Sequence, residues 1–199
     1  MMNLIGIINF KSIFGIIAIG LSFIAFFPYL VSILNGKTKP HVFSWIIWTI
    51  TTFFIFIVQL SDNGGFGSWV IGTSAIISML IALIAYLKKS DISIKVVDWV
   101  FFNFSLVAIL VWYFITNPIW AVLLLTTIDI MAFFPTIRKT FFYPFDENLL
   151  FYVLIVFRNI LSLIALEHYS IVTIFFPISS AVVFFIFIIV INYRRGFID

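Results

Sequence analysis

The chain predicts an all-α membrane protein: seven transmembrane helices, set as two parallel three-helix repeats joined by a linker helix. Three observations predict it. Hydrophobic residues make up 64% of the 199 and charged residues 10%, against roughly 45–50% and 25% in soluble domains, so lipid must solvate most of the chain. The apolar residues fall in runs of about twenty, the length that crosses a bilayer, with polar turns between them. Finally, Ala25-Phe26-Phe27-Pro28 recurs 107 residues later as Ala132-Phe133-Phe134-Pro135. The same offset puts Trp45 against Tyr152 and Gln59 near Leu166. With one residue deleted, Leu87-Lys88-Lys89 falls on Tyr193-Arg194-Arg195. Shared helix starts, helix ends and closing cations mark a tandem repeat.

Residues 1–10 form a short apolar lead without a basic start or small-residue cleavage site, so the mature chain is expected to keep them. The first repeat, residues 12–87, opens with a span over 12–34. At ~1.5 Å per residue it is long enough for a hydrocarbon core of ~30 Å. Pro28 removes a backbone donor inside it and kinks the helix. A turn with Lys37 and Lys39 leads to the second span, 41–60. Ser61-Asp62-Asn63-Gly64-Gly65 is loop, and the third span covers 68–87. A basic connector, 88–95, precedes the linker helix, 96–116. Asn117-Pro118 turns tightly into the second repeat, 119–193. Its spans run 119–137, 149–166 and 171–193, and the stretch 138–148 is the longest loop.

Lys37, Lys39, Lys88, Lys89, Lys95, Arg138, Lys139, Arg194 and Arg195 all lie in alternate loops or the tail that share one side, with Lys11 alone opposite. The positive-inside bias predicts a plasma-membrane protein with its N-terminus outside and its C-terminus cytoplasmic. Each repeat has an odd number of helices, so a direct duplication would arrive inverted. The linker helix crosses once more and restores the orientation, with a pseudo-twofold axis along the membrane normal. A net charge of +3 without a basic face gives no case for nucleic acid. The lack of cysteine excludes disulfides and thiolate metal sites, and no cofactor motif is present.

Asp129 and Arg158 fall near the middle of their spans, where a charge costs at least ~2.5–3.5 kcal/mol on insertion scales. Three uses are open: a structural ion pair, an Arg158 fork for a substrate carboxylate or phosphate, or Asp129 as a proton carrier. The first repeat has Ser22 and Thr51 at the matching positions. Thr52 and Asn159 are repeat mates beside them, and Ser162 is one turn on from Arg158. On the third helices Thr73 and Gly72 match Ser180 and Ser179, or Thr73 matches Ser179 if the deletion falls earlier. Such small residues also serve simply to pack helices.

Trp45 and Trp48 share a face, and Trp48 can stack a ring-shaped solute, although packing is the plainer use. Trp69, Trp99 and Trp120 read as interfacial anchors, while Trp112 has no evident role. Asp98 answers Lys95. His41 and His168 lie on opposite sides and cannot form a metal pair. No nucleophile–base pair lies at mid-depth, so an enzyme is not expected.

The three-helix unit, linker helix and second unit, with Phe27-Pro28-Tyr29 and Phe134-Pro135-Thr136 in the first helices, resemble the SWEET and PQ-loop superfamily of small-solute transporters. The likeness covers almost the whole chain, and the segment from Thr38 to Trp48 looks like the start of that family's second helix. Tyr29 and Thr136 stand where the family often has glutamine. The resemblance implies alternating access, with hinges at Pro28 and Pro135 and a mid-membrane cavity lined from the third helices by Gly72, Thr73, Ser179 and Ser180; Asp129, Arg158, Asn159, Thr52 and Trp48 are the further solute-binding candidates. The implied partners are the lipid bilayer, a small polar solute, protons as a candidate coupling ion and a second copy of the chain as a candidate oligomer. A ligand-binding or sorting receptor on the same scaffold is the alternative.

Overall fold

A computed structural model describes residues 10–38, 40, 42–88, 96–114 and 117–197. The expectations placed on Lys39, His41, Lys89 and Lys95, and on the side chains of Asp98, Trp112, Arg138 and Lys139, lie outside the described residues. Eight α-helices are present among them: α1 (Phe10–Leu34), α2 (Val42–Ser61), α3 (Phe66–Leu87), α4 (Val96–Phe114), α5 (Pro118–Met131), α6 (Phe134–Phe142), α7 (Leu149–Ile164) and α8 (Ile171–Arg195).

Four of these, α1, α2, α3 and α8, are long and apolar enough to cross a membrane, while α5 and α7 are apolar and shorter. Whole faces of the long helices are apolar and exposed, among them Phe23, Ile24 and Phe27 on α1, Ile76, Met79 and Leu83 on α3, and Phe185, Ile186 and Ile189 on α8. Surfaces of that size suit lipid and not water. The membrane character expected from composition is therefore present.

The fifth expected span is not one helix. It ends at Met131 and restarts at Phe134, because Pro135 has no N–H to return to the Met131 carbonyl. The chain tightens across the gap instead, with the Phe133 amide donating to Ile130. The expected 138–148 loop is also shorter, since α6 runs to Phe142 and a 3-10 turn occupies Pro144–Asp146. The matching Ala-Phe-Phe-Pro in α1 leaves that helix unbroken, with Pro28 inside it.

Helix α3 lies against both α1 and α2, and α8 lies against both α5 and α7. Across these two groups α1 packs on α7, α2 on α5, α3 on α7 and α2 on α8, while α4 rests on α5 and α2. Lys37, Lys88, Arg194 and Arg195 share one end of the bundle, called here the cationic end.

An aromatic layer fills that end. Phe26 meets Trp45 at 6.3 Å and Phe151 at 5.0 Å, and Tyr29 stacks on Phe151 at 5.4 Å. Phe133 sits 6.1 Å from both Trp48 and Tyr152. The last turn of α8 ties down the end of α6 and the segment after it, with Arg194 Nε donating to the Phe141 carbonyl at 2.9 Å and Arg195 Nη2 to that of Glu147 at 2.7 Å.

At the opposite end the seam is polar. Asp62, in the loop after α2, accepts from Ser170 and faces His168 Nδ1 at 3.3 Å, so the α2–α3 and α7–α8 loops are joined. Ser170 caps α8 through a reciprocal pair with Thr173. Deeper in, Pro177 lies within α8 and leaves the Thr173 carbonyl without its usual helical donor. The fully buried Gln59 supplies one from α2, Nε2 to Thr173 oxygen at 2.9 Å. Gln59→Leu should therefore cost about 1–3 kcal/mol, the penalty of a stranded buried carbonyl. Pro177→Ala in the same chain restores an N–H and should recover most of that loss in a thermal melt. Equal melting of Gln59→Leu and wild type would refute the bond.

Candidate functional site

The sequence candidates converge between the aromatic layer and the polar seam. Asp129 sits near the end of α5, one turn before the helix breaks. Its carboxylate Oδ1 lies 2.6 Å from the Thr51 hydroxyl, and its carbonyl accepts from Trp48 Nε1 at 3.0 Å. Thr51 has one hydroxyl proton and two further acceptors in reach, the Ile47 carbonyl at 3.0 Å and the Trp48 carbonyl at 3.3 Å. The shortest contact, to a charged acceptor, takes the proton. Trp48 and Thr51 are three residues apart on α2, so one face of that helix holds Asp129 at two points.

Arg158, on α7, is 3% exposed. Its Nη1 donates to Ser74 Oγ on α3, and its Nη2 to Asn159 Oδ1. Ser74 in turn donates to the Val70 carbonyl at 3.3 Å. Among the described residues Asp129 and Arg158 form no direct ion pair; each charge is held by neutral groups. They still act on each other electrostatically.

Two atoms in this group lack any partner among the described residues: Arg158 Nε and Asn159 Nδ2. Both are N–H donors. Asn159 is fully buried, and its oxygen is turned to the guanidinium, which leaves its amide nitrogen facing away from that charge.

Other candidates land elsewhere. Thr73 is one residue off: its hydroxyl donates to its own helix at Trp69, 2.9 Å away on an exposed face. Ser74, which is not among the sequence candidates, takes the contact with Arg158. One residue turns a helix by about 100°, so a repeat alignment uncertain by one cannot choose the face. Gly67, Ser74, Ser78 and Ala85, small residues spaced i, i+7, i+11 and i+18 and all buried on α3, were the signal that could have found it.

Thr52 is buried, with its hydroxyl donating to the Trp48 carbonyl. Ser180 is buried and Ser179 partly so, and among the described residues neither is bonded to Asp129, Arg158 or Asn159. Gly72 is a packing position, since a Cβ there would meet the Phe56 ring at 2.9 Å. Trp48 makes a T-shaped contact with Trp45 at 5.0 Å and a tilted one with Phe133 at 6.1 Å, so its ring packs against protein.

Pro28 and Pro135 sit on the cationic-end side of this polar belt. Ser162, one turn beyond Arg158, donates to the Gly67 carbonyl at 3.0 Å and closes the seam between α7 and α3. Comparison of the chain with family models, with characterised proteins and with solved structures finds no match.

Proposed function

We propose that the chain is a carrier of the SWEET-like class, moving a small polar solute by alternating access. It would cross the membrane seven times, with α5 and α6 together forming one span. One observation carries this: helix packing is preserved when α1 is exchanged with α5–α6, α2 with α7 and α3 with α8. Under that exchange α1 on α7 becomes α5 on α2, α1 on α3 becomes α5 on α8, and α3 on α7 becomes α8 on α2. The ring pairs follow the same rule. Phe26–Trp45 and Phe133–Tyr152 are repeat mates, at 6.3 and 6.1 Å. Two like bundles facing each other across a twofold axis suit a rocking carrier, and buried charge at mid-depth marks a pathway by default.

The cationic end faces the cytoplasm in this arrangement, as the lysine and arginine distribution favours. The aromatic layer then closes the cytoplasmic side, and Pro28 and Pro135 lie where the first helices must bend to open it. Counterflow in proteoliposomes separates carrier from receptor: a carrier exchanges labelled solute for unlabelled, and a receptor on the same scaffold binds without exchange. Pro28→Ala should slow exchange about tenfold or more while leaving the melting temperature equal or higher, since it restores a helical hydrogen bond. Unchanged exchange would remove the hinge assignment.

A further inference from the structure

We propose that Arg158 and Asn159 form a binding site for the carboxylate group of a small organic anion. This rests on the carrier reading, because a guanidinium 3% exposed reaches a solute only when the two bundles part. The chemistry of the unmatched atoms selects the ligand. Five buried side-chain polar atoms lack a partner among the described residues, and the two on α7 are adjacent residues offering only N–H groups. A neutral sugar presents hydroxyls that must donate as well as accept, and neither of these two atoms accepts. A carboxylate is acceptor-only, and each of its two oxygens can take an N–H donor.

The surroundings make the site rigid. Ser74 fixes one terminal nitrogen from α3 and Asn159 Oδ1 fixes the other, so the fork has one orientation and the remaining donor Nε is aimed by default. Arg158 is also not neutralised by contact: Asp129, the opposite charge at this depth, is held on α2 by Thr51 at 2.6 Å. An arriving carboxylate therefore meets a positively charged group whose nearest partners are neutral. Trp48, Phe133 and Tyr152 lie toward the cationic end, so a short apolar tail on the acid would meet aromatic surface on one side.

The experiment is titration calorimetry on the purified full chain in detergent, with acetate, lactate and succinate against acetamide, lactamide and glucose, and with inorganic phosphate and chloride as competing anions. At least one acid should bind, and about ten- to a hundredfold more tightly than its amide. Arg158→Gln should lose that preference. Asn159→Asp places a carboxylate beside the guanidinium from within the chain; it should abolish acid binding without lowering the melting temperature. Amide or glucose binding as tight as the acid, a preference for phosphate or chloride, no acid bound, an undiminished acid preference in folded Arg158→Gln, or acid binding in folded Asn159→Asp would each overturn the assignment. Acid that binds but shows no counterflow in proteoliposomes overturns the carrier reading and leaves the site standing.

Discussion

Gly67→Ala should destabilise the protein by about 3 kcal/mol, and Gly67→Val by more. A Cβ at position 67 would stand 2.6 Å from the Ser162 carbonyl oxygen and 2.7 Å from Leu166 Cδ2, distances real side chains do not tolerate. The first of these is backbone, so α7 as a whole must move. Overpacking of this kind costs ~1–3 kcal/mol. Two hydrogen bonds cross the same point, Ser162 Oγ to the Gly67 carbonyl at 3.0 Å and the Gly67 amide to the Ala165 carbonyl at 3.2 Å, each worth about 1 kcal/mol net.

The amide is one of the unpaired donors that open α3, and the carbonyl one of the unpaired acceptors that end α7, so separating the helices strands both. Gly20→Ala is the matched control. Nothing lies within 4 Å of its Cβ, and alanine there should be neutral or gain up to ~1 kcal/mol from helix propensity. Thermal unfolding of the three variants in one detergent reads the contrast. A Gly67→Ala protein melting with wild type would mean that α3 and α7 do not cross at this glycine.

That crossing was invisible in the sequence, and the reason is physical. Glycine in an apolar run signals close approach without saying to what. Hydropathy located helices because lipid imposes one requirement on every residue of a span. The first three helices start and end within two residues of the expected 12–34, 41–60 and 68–87. The break at 132–133 was not legible, because the four residues of the motif are identical at Pro28 and Pro135. What differs lies downstream. Tyr29-Leu30-Val31 continues an apolar helix, whereas α6 carries Arg138 and Lys139 and is held from α8 by Arg194 at Phe141.

Asp129 and Arg158 were legible as charges in apolar spans, and their pairing was not. A charge announces that it needs a partner, but the partners here are Thr51, Ser74 and Asn159, uncharged residues that composition does not flag. The Thr173 carbonyl freed by Pro177 and met by Gln59 was equally hidden. Proline shows which acceptor is stranded, and only the fold shows who reaches it.

A double-mutant cycle on Asp129 and Arg158 should give a coupling of about 1–3 kcal/mol despite the absence of a direct bond. Arg158→Met removes the donors that Ser74 and Asn159 now accept from and leaves Asp129 the only charge at this depth among the described residues, so a loss of about 3–5 kcal/mol is expected. Asp129→Asn is milder, since Thr51 can still donate to the amide oxygen at the same position; what it removes is the field on Arg158. In the double variant neither charge remains to be compensated, so the two losses should not add. Thermal unfolding of the four proteins gives the cycle.

The sign and size decide between the uses open to these residues. Additivity within ~0.5 kcal/mol would make each charge self-sufficient in its own shell of neutral donors and acceptors, and a structural ion pair would be excluded. A large coupling makes them one electrostatic unit divided between α5 and α7, two helices that belong to the same proposed repeat. An anion bound at Arg158 must then weaken the hold of Arg158 on Asp129. The balance of charge at mid-depth would change with each solute carried, and a proton on Asp129 is the simplest way to restore it.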